Sequence, residues 1–421
     1  MSQAIPLLPG VTLRCFPDHR FKHGCFSIQL VRPMCQEEAA LNALLPAVLL
    51  RGSRSCPDLR AITLRLDDLY GASVSALVRR VGDYQTTGLY CSFLEDRFAM
   101  EGDLVLKPMV AFARELLLEP DLDSGVFRED FVESEKKNLI ATIESQLNDK
   151  RTYAMEQLAK HMCQGDSYGV PRLGETEQVA KITARSLYDH YVRILRESPV
   201  ELCYVGSASG ETVAELLKEV FAPLNRSYVN LPEQTPLSAP PAGYHTETMD
   251  VNQGKLCMGF VTPATIQTPG FVATQLLNTV FGGGMTSKLF VNVREKRSLC
   301  YAIHSGYYGS KGIVTVSAGI DSGMSETVQQ EVLAQLEACR NGQITQEELV
   351  AAKQALRSSL LATHDSPGAM EGYYATGALS GLSMTPEEYI RAVEATTPEQ
   401  VCDAAKQLQL HTVYFLKGVS A

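Results

Sequence analysis

The feature that most constrains the fold is an order of elements that occurs twice along the 421 residues. Each half opens with strand-like text, VTLRCF and FSIQLVRP in the first and KLCMGFVTPA in the second. A helical stretch that ends in glycine follows in each half, EEAALNALLPAVLLRGS against GFVATQLLNTVFGGG. Apolar residues at helical spacing predict these helices, and self-similarity of this kind indicates two copies of one unit.

The remaining elements match in the same order. Paired strands come next, SVSALVRRV with TTGLYCSFLE and YAIHSGYYG with GIVTVSAGID, the second pair joined by a hairpin turn at Ser310-Lys311-Gly312. A long helical region then appears in both halves, VESEKKNLIATIESQLNDKRTYAME against EELVAAKQALRSSLLATHDSPGAME. Each half closes with a helix that starts at Ser or Thr, followed by a strand in which Tyr204 and Tyr414 occupy matching places.

A proline-rich stretch separates the two copies. The text NLPEQTPLSAPPAGYHTETMD, residues 230–250, contains four prolines and little apolar periodicity, which is typical of a linker. The sequence therefore predicts an N-terminal domain over residues 1–229, the linker, and a C-terminal domain over residues 251–421. The predicted fold class is α+β, and each unit is a mostly antiparallel sheet faced by helices.

Composition excludes several classes of partner. A formal net charge of −10 argues against nucleic acid or an anionic membrane, because both attract clustered positive charge. No run of 18 apolar residues occurs, and MSQAIPLLPGVTLRCF lacks the basic and apolar regions of a secretion signal. Eleven cysteines without a C-x-x-C pair predict buried thiols in a reducing cytosol, so a cytoplasmic location is expected.

The glycine-rich stretch GGGMTSKLFVNVREKRSLCYA, residues 282–302, first suggests a phosphate site. A Walker loop needs lysine directly after its last glycine, whereas Lys288 comes four residues after Gly284. The dinucleotide pattern G-x-G-x-x-G also fails, because no third glycine follows within the turn. The spacing therefore favours a tight turn that leads into a helix.

Few residue patterns point to catalysis. His19 and His23 in DHRFKH are the only close pair among eight histidines, and the flanking strands favour a hairpin turn over a metal site. Neither H-E-x-x-H nor G-x-S-x-G occurs. Asp67 and Asp68 are adjacent and would diverge on a helix, which favours a solvated face. Cysteine catalysis stays open, since no cysteine has a local signature.

Arg294 and Tyr301 are the remaining candidates, in REKRSLCY. If KLFVNVREKR is a helix and LCYAIHSGY a strand, both side chains lie at one helix-to-strand corner. A guanidinium and a phenol could then donate hydrogen bonds to one carbonyl oxygen. The alternative is that Arg294 is a solvated helix residue and Tyr301 an ordinary strand aromatic.

Over nearly all of its length the chain resembles the M16 family of peptidases, the pitrilysin or insulinase-like enzymes. The family motif consists of a glycine pair, S-x-L-F and R-E-x-x-G-L-x-Y, which this chain matches at Gly283, Gly284, Ser287, Leu289, Phe290, Arg294, Glu295, Leu299 and Tyr301. Ser298 departs from it, where glycine is usual. The resemblance implies that the two units form a clamshell, and that Arg294 and Tyr301 bind the substrate backbone and stabilise the oxyanion.

The same resemblance implies a zinc helix of the H-x-x-E-H type in the first half, and this helix has lost its ligands. With the register fixed by Arg-Gly-Ser at residues 51–53, the three key positions are Ala43, Pro46 and Ala47. The third ligand, a glutamate on a later helix, falls near Thr142. A zinc site needs about three protein ligands, so no zinc is expected on this chain and no peptidase activity from it alone.

Loss of the zinc half with retention of the substrate half resembles the non-catalytic subunits of two-chain M16 peptidases. LDDLYGAS and NDKRTYA are similar to the bacterial inactive-type subunits. The resemblance implies a heterodimer with a zinc-bearing M16 paralogue, or a homodimer in its absence, with peptide as substrate. Two alternatives stay open: a peptide-binding or scaffold protein with no part in proteolysis, and an autonomous hydrolase with a cysteine or displaced metal site.

Overall fold

A computed structural model describes residues 4–146, 148–238, 240–241 and 243–419. The strands of the first half are β1 Ile5–Leu8, β2 Val11–Pro17, β3 His23–Pro33, β4 Ser73–Val81, β5 Tyr84–Leu94, β6 Leu122–Asp123, β7 Val126–Phe127 and β8 Val200–Gly206. Its helices are α1 Gln36–Leu49, α2 Leu59–Asp67, α3 Leu106–Leu118, α4 Glu129–Ser145, α5 Lys150–Met162, α6 Thr176–Ala180, α7 Ala184–Glu197 and α8 Gly210–Phe221.

The second half has the same mixture of elements. Its strands are β9 Gly243–Met249, β10 Gly254–Val261, β11 Ala302–Tyr308, β12 Ile313–Ile320 and β13 Gln409–Gly418. Its α-helices are α9 Phe271–Phe281, α10 Ser325–Arg340, α11 Gln346–Leu361, α12 Pro367–Ser380, α13 Pro386–Ala395 and α14 Pro398–Gln407. Leu289–Lys296 forms a π-helix, and short 3₁₀ turns lie at Asp96–Phe98, Ser167–Gly169, Ser322–Met324 and Ala362–Asp365.

Two large sheets repeat one topology. The first has the order β1-β2-β8-β3-β5-β4, and the second has the order β9-β13-β10-β12-β11. Strands β2, β8, β3, β5 and β4 thus correspond in order to β9, β13, β10, β12 and β11, and β1 is an additional edge strand. In each sheet the strands that open and close the repeat are parallel, β2 with β8 and β9 with β13, while the other neighbours are antiparallel. The mostly antiparallel α+β class and the repeated order of elements therefore agree with the sequence pattern.

The chain divides into two compact units, and each half contributes a segment to both. Unit 1 consists of Met1–Glu144, Val170–Glu233 and Thr363–Leu379, and unit 2 of Ser145–Gly169, Gln234–Ala362 and Ser380–Ala421. Helix α5 thus belongs to unit 2, and nearly all of α12 belongs to unit 1. These two helices come from the long helical regions that match in the two halves, so the exchange is itself repeated.

The predicted domain boundaries at 1–229 and 251–421 do not include this exchange. A helical pattern identifies a helix, but it carries no information on which sheet the helix packs against. The predicted linker, residues 230–250, also contains strand β9. The linker prediction was wrong for this part, because β9 is an edge strand with exposed and polar residues that hide the usual alternation.

The core of unit 1 lies between one face of its sheet and helices α1, α3, α7 and α8. Its buried side chains include Phe26, Ile28 and Tyr204 from the sheet and Leu44, Leu116 and Ile194 from the helices. Burial of a side chain of this size contributes roughly 1.5–3 kcal/mol to folding. The central strand β3 is almost wholly buried, including the polar side chains of Ser27 and Gln29.

Ser and Thr residues start several helices, as the sequence predicts. Thr183 caps α7 by accepting a hydrogen bond from the backbone N–H of Ser186 at 3.1 Å. Thr397 caps α14 in the same way, with Gln400 as the reciprocal partner. Each such cap is worth about 1 kcal/mol, because it satisfies a helix N–H that has no partner within the helix.

Tyr204 and Tyr414 lie on different faces of their sheets, which corrects their predicted equivalence. Tyr204 packs in the core with α1 and α3, whereas Tyr414 packs with Ala154 and Leu158 of the exchanged helix α5. In unit 1 the exchanged helix contacts Val205 instead. Tyr414 therefore corresponds to Val205 and not to Tyr204. A shift of one residue in a strand moves the side chain to the opposite face of the sheet.

A buried ion pair holds each exchanged segment in place. In unit 1 the fully buried Glu371 of α12 accepts two hydrogen bonds from Arg79, at 2.9 and 2.8 Å, and one from Ser27 at 2.6 Å. In unit 2 the buried Lys311 donates to Asp166, which follows α5, at 3.0 Å. Among the helices that the structure describes, none is long and apolar enough to cross a membrane.

Candidate functional site

Arg294 lies in the π-helix Leu289–Lys296 of unit 2, where the sequence predicted an α-helix. π-helical turns are rare and frequently occur at functional sites. The guanidinium stacks over the ring of Phe290, with its carbon 4.6 Å from the ring centroid, and one nitrogen lies 3.6 Å from a carboxylate oxygen of Glu295. About two fifths of the arginine side chain, 39%, stays exposed, so its donors can reach a ligand.

Tyr301 directly precedes β11 and is 55% exposed. Its hydroxyl donates a hydrogen bond of 2.9 Å to Oδ1 of Asp321, which directly follows β12. This hydrogen bond and the negative charge of Asp321 raise the pKa of the Tyr301 phenol. The phenol is therefore protonated at neutral pH, and its proton points to Asp321.

Arg294 and Tyr301 line one surface cavity of about 360 Å³. The other lining residues are Glu295, Ser298, Leu299, Cys300 and Asp321. The structure thus brings the two predicted residues to one place. The cavity is thus lined by the donors of a guanidinium and by a phenol that is hydrogen-bonded to a carboxylate.

Two glycines of the turn before the π-helix are required by close packing. A Cβ at Gly282 would lie 2.7 Å from Oγ of Ser305 and 2.8 Å from the side chain of Leu289. A Cβ at Gly283 would lie 2.8 Å from the backbone of Thr279. The turn therefore packs against β11 and the end of α9, which explains the glycines without any phosphate.

The segment between the turn and Arg294 is fixed by buried polar side chains. Ser287 is buried, and its hydroxyl accepts from the backbone N–H of Phe290 at 3.4 Å. Lys288 is also buried, and its ammonium donates to Glu348 of α11 at 2.9 Å. These contacts attach the π-helix to the body of unit 2.

Ser298 ends this segment in the left-handed region, with φ of 52°. A residue with a Cβ costs roughly 1–2 kcal/mol in this conformation, whereas glycine adopts it freely. This explains why glycine is usual at this place in the family motif. The turn at Ser298 is closed by the Leu299 N–H, which donates to the carbonyl of Val293 at 3.0 Å.

Cys300 also lines the cavity, but its thiol is a poor nucleophile. Burial raises its pKa to about 11, although the nearby charge of Arg294 opposes the shift. None of the eleven cysteines, all of which lie in the described part of the chain, forms a disulfide, and nine of them are buried. The prediction of buried thiols is confirmed for these nine, and Cys35 and Cys402 are partly exposed.

The positions where a zinc helix would carry its ligands lie in unit 1 and offer none. Ala43 and Pro46 are buried in α1 and Ala47 is partly exposed. Thr142 is exposed on α4, and its hydroxyl donates to the carbonyl of Asn138 at 2.8 Å. Within the described residues no group of three or more His, Cys, Asp or Glu could hold a metal ion. These side chains do not fit zinc.

Pro46 lies inside α1 without leaving a buried carbonyl unpaired. Proline has no N–H, so the carbonyl of Asn42, four residues earlier, loses its helical partner. The Thr87 hydroxyl from β5 donates to this carbonyl at 2.7 Å instead. The sheet thus compensates for the N–H that Pro46 lacks.

The two other residue pairs that the sequence analysis considered, His19 with His23 and Asp67 with Asp68, lie outside the cavity at Arg294. His19 and His23 flank the loop between β2 and β3, which is not a hairpin, because β8 lies between these strands in the sheet. Asp67 ends α2 and Asp68 follows it, both exposed, as expected for a solvated face. Neither pair lines the cavity at Arg294.

The sequence interpretation missed Asp321, although a signal for it existed. The strands around Ser310-Lys311-Gly312 were predicted as a hairpin, and the structure confirms that β11 and β12 pair, with Tyr308 opposite Ile313 and Ala302 opposite Gly319. In an antiparallel hairpin about this turn, Tyr301, just before β11, lies beside the end of β12. Asp321, which directly follows β12, is the acidic residue at this position in the sequence.

Residues 181–356 match the family described as Peptidase M16 inactive domain. A protein of Bacillus subtilis (strain 168) named probable inactive metalloprotease YmfF is 29% identical over 409 residues, 97% of this chain and 96% of the relative.

Solved structures extend the similarity to the whole fold. A conserved protein from Enterococcus faecalis V583 has a TM-score of 0.91 and 27% identity, with 100% of this chain and 99% of that chain covered. A peptidase M16 inactive domain from Pseudomonas fluorescens has a TM-score of 0.83 at 20% identity and covers 100% and 98% of the two chains. The latter likeness concerns the fold alone.

Proposed function

We propose that this chain, which is similar to inactive members of the M16 peptidase family, serves as the substrate-binding subunit of a two-chain metallopeptidase. The zinc would be held by a second M16 chain with an intact H-x-x-E-H helix. The observation that carries the proposal is the cavity where Arg294 and Tyr301 meet while the zinc positions hold Ala43, Pro46, Ala47 and Thr142. No zinc or other cofactor is expected on this chain itself.

In this function Arg294 binds a carbonyl oxygen of the peptide. Its guanidinium is held in place by Phe290 and Glu295, yet two fifths of the side chain is exposed. A donor that is already oriented needs little reorganisation when negative charge develops on the bound oxygen. The zinc ion of the second chain would then activate the attacking water. The cavity at Arg294 would contribute substrate binding only.

The proposal also includes a location and a partner for this chain. Eleven cysteines without a disulfide among them suit a reducing compartment such as the cytoplasm. The partner is an M16 paralogue in a heterodimer, and a homodimer of this chain would leave the peptidase without zinc ligands.

The test is cleavage of a quenched fluorescent peptide by the mixed chains, with Arg294→Ala and Tyr301→Phe combined in this one. Loss of an oriented donor costs about 100-fold in rate in comparable sites, so a loss of that order is expected. Arg357→Ala is the matched control, because Arg357 is an exposed arginine of unit 2 outside the cavity. Its activity should equal that of the wild type.

One observation favours a second candidate, a scaffold or peptide-binding protein without a part in proteolysis. The Tyr301 hydroxyl already donates to Asp321, and Arg294 already stacks on Phe290, so both groups have intramolecular partners. Such contacts would also suit a corner that only maintains the fold. An unchanged cleavage rate in the double variant would select this candidate.

A further inference from the structure

The cavity at Arg294 carries more negative than positive charge. Its charged lining residues are one arginine, Arg294, and two carboxylates, Glu295 and Asp321. Arg294 lies 3.6 Å from Glu295, so these two charges largely offset each other. Asp321 is therefore the charge that remains.

Nearby cations do not neutralise Asp321. Arg297 pairs with Glu331 at 2.7 Å, and Lys296 donates to Asn292 at 3.1 Å. Across the parts of the chain that the structure describes, no Lys, Arg or His nitrogen lies within 4.0 Å of the Asp321 carboxylate. The basic stretch REKR thus leaves this carboxylate without a counter-charge.

Tyr301 extends the same acceptor surface. Since its proton points to Oδ1 of Asp321, its oxygen presents only lone pairs to the cavity. The second oxygen of Asp321 and the phenol oxygen are then two neighbouring acceptors in the cavity that Arg294 also lines. A ligand that matches this arrangement has a carbonyl for Arg294 and a cationic donor for Asp321.

We propose that Asp321 is the specificity-determining residue of this cavity and selects peptides that place a cationic group, a Lys or Arg side chain or an N-terminal ammonium, beside Tyr301. The proposal rests on the proposed function, because it names the substrate class of the same site. An amide or a neutral side chain would leave the carboxylate unpaired, and a substrate carboxylate would be repelled.

The experiment measures binding of fluorescent peptides to the isolated chain at low ionic strength by anisotropy. One pair of peptides, acetylated at the N-terminus, differs only in arginine against citrulline, which has the same shape without the charge. A second pair contains no basic side chain and differs only in a free against an acetylated N-terminus. The first pair reports a side chain and the second the N-terminal ammonium.

We expect the wild type to bind the charged member of at least one pair about tenfold more tightly, since a charge-assisted hydrogen bond is involved. Asp321→Asn keeps the shape and an acceptor for Tyr301, and it should reduce that ratio to about one without weakening the neutral peptide. Asp403→Asn is the control, because Asp403 is an exposed aspartate of unit 2 outside the cavity. It should keep the wild-type ratio.

Different failures separate the two proposals. Equal binding of charged and neutral peptides by the wild type, or an unchanged ratio in Asp321→Asn, would overturn the role of Asp321 and leave the proposed function standing. Absence of binding for all four peptides would overturn peptide binding by this chain, and the role of Asp321 with it. Since Asp321 is exposed, the circular dichroism spectrum of Asp321→Asn should match that of the wild type.

Discussion

His190 in unit 1 is a buried residue that hydrogen-bonds to Asn42 of helix α1. Its Nδ1 accepts from Arg193 at 2.9 Å, because a guanidinium can only donate, and its Nε2–H donates to Oδ1 of Asn42 at 2.8 Å. The Asn42 amide in turn donates to Gln85 at 2.9 Å, and Gln85 donates to the carbonyl of Ala39. This chain of hydrogen bonds requires a neutral imidazole.

Burial lowers the pKa of His190 to about 4, with Glu38 opposing and Arg193 and Arg32 assisting the shift. In the unfolded chain the imidazole takes up its proton near pH 6.5. The folded state therefore loses stability as pH falls from about 6.5 towards 4, because only the unfolded state gains the proton.

From this shift we predict that lowering pH from 7 to 5 costs the wild type about 2 kcal/mol more in the free energy of unfolding than it costs His190→Gln. Urea denaturation at both pH values measures the difference. His23→Gln, at an exposed histidine, should behave like the wild type. An equal pH dependence in wild type and His190→Gln would show that His190 is not held neutral.

At the scale of elements, the sequence patterns did not predict the exchange of helices α5 and α12 between the two units. Helix α12 carries Glu371 into unit 1, where Arg79 and Ser27 bind it, and Tyr374 stacks on Phe16 with ring centroids 3.9 Å apart. When one partner of a buried ion pair loses its charge, the charge of the other partner is left uncompensated. The ion pair is therefore the point at which the exchange can be tested.

Glu371→Gln should destabilise unit 1 by about 3 kcal/mol, because the partly exposed Arg79 loses its charged, bidentate partner at a fully buried position. Hydrogen exchange measured by mass spectrometry should then rise in β3, β4 and α12. Glu215→Gln, an exposed glutamate of α8, serves as the control and should leave exchange unchanged. Faster exchange confined to α12, with β3 and β4 as protected as before, would contradict the anchoring role of this pair.

The elements themselves were largely predictable, whereas their partners were not. Alternation in SVSALVRRV and TTGLYCSFLE predicts strands that do pair as β4 and β5, and Ser310-Lys311-Gly312 predicts the β11–β12 turn, in which Gly312 has φ of 65°. Strand β9 and the packing of α5 depend on contacts distant in sequence. Local patterns do not encode such contacts, so the predicted linker and boundaries differ from the structure.

At the scale of the whole molecule, the chain is a duplicated fold in which the two copies have diverged in chemistry. The motif around Arg294 was recognisable in the sequence because it is continuous, and the structure places Arg294 and Tyr301 on one cavity. Asp321 was missed because it joins them only through strand pairing. The residues that the resemblance places at zinc positions in the other unit are Ala43, Pro46, Ala47 and Thr142.

The central claim is that this chain supplies substrate binding to a zinc-bearing partner. The most direct measurement is cleavage of a quenched fluorescent peptide library by this chain alone, by an M16 paralogue with an intact H-x-x-E-H helix alone, and by both mixed. The account predicts no cleavage by this chain alone and strong cleavage only in the mixture. Equal rates for the paralogue alone and for the mixture would contradict it.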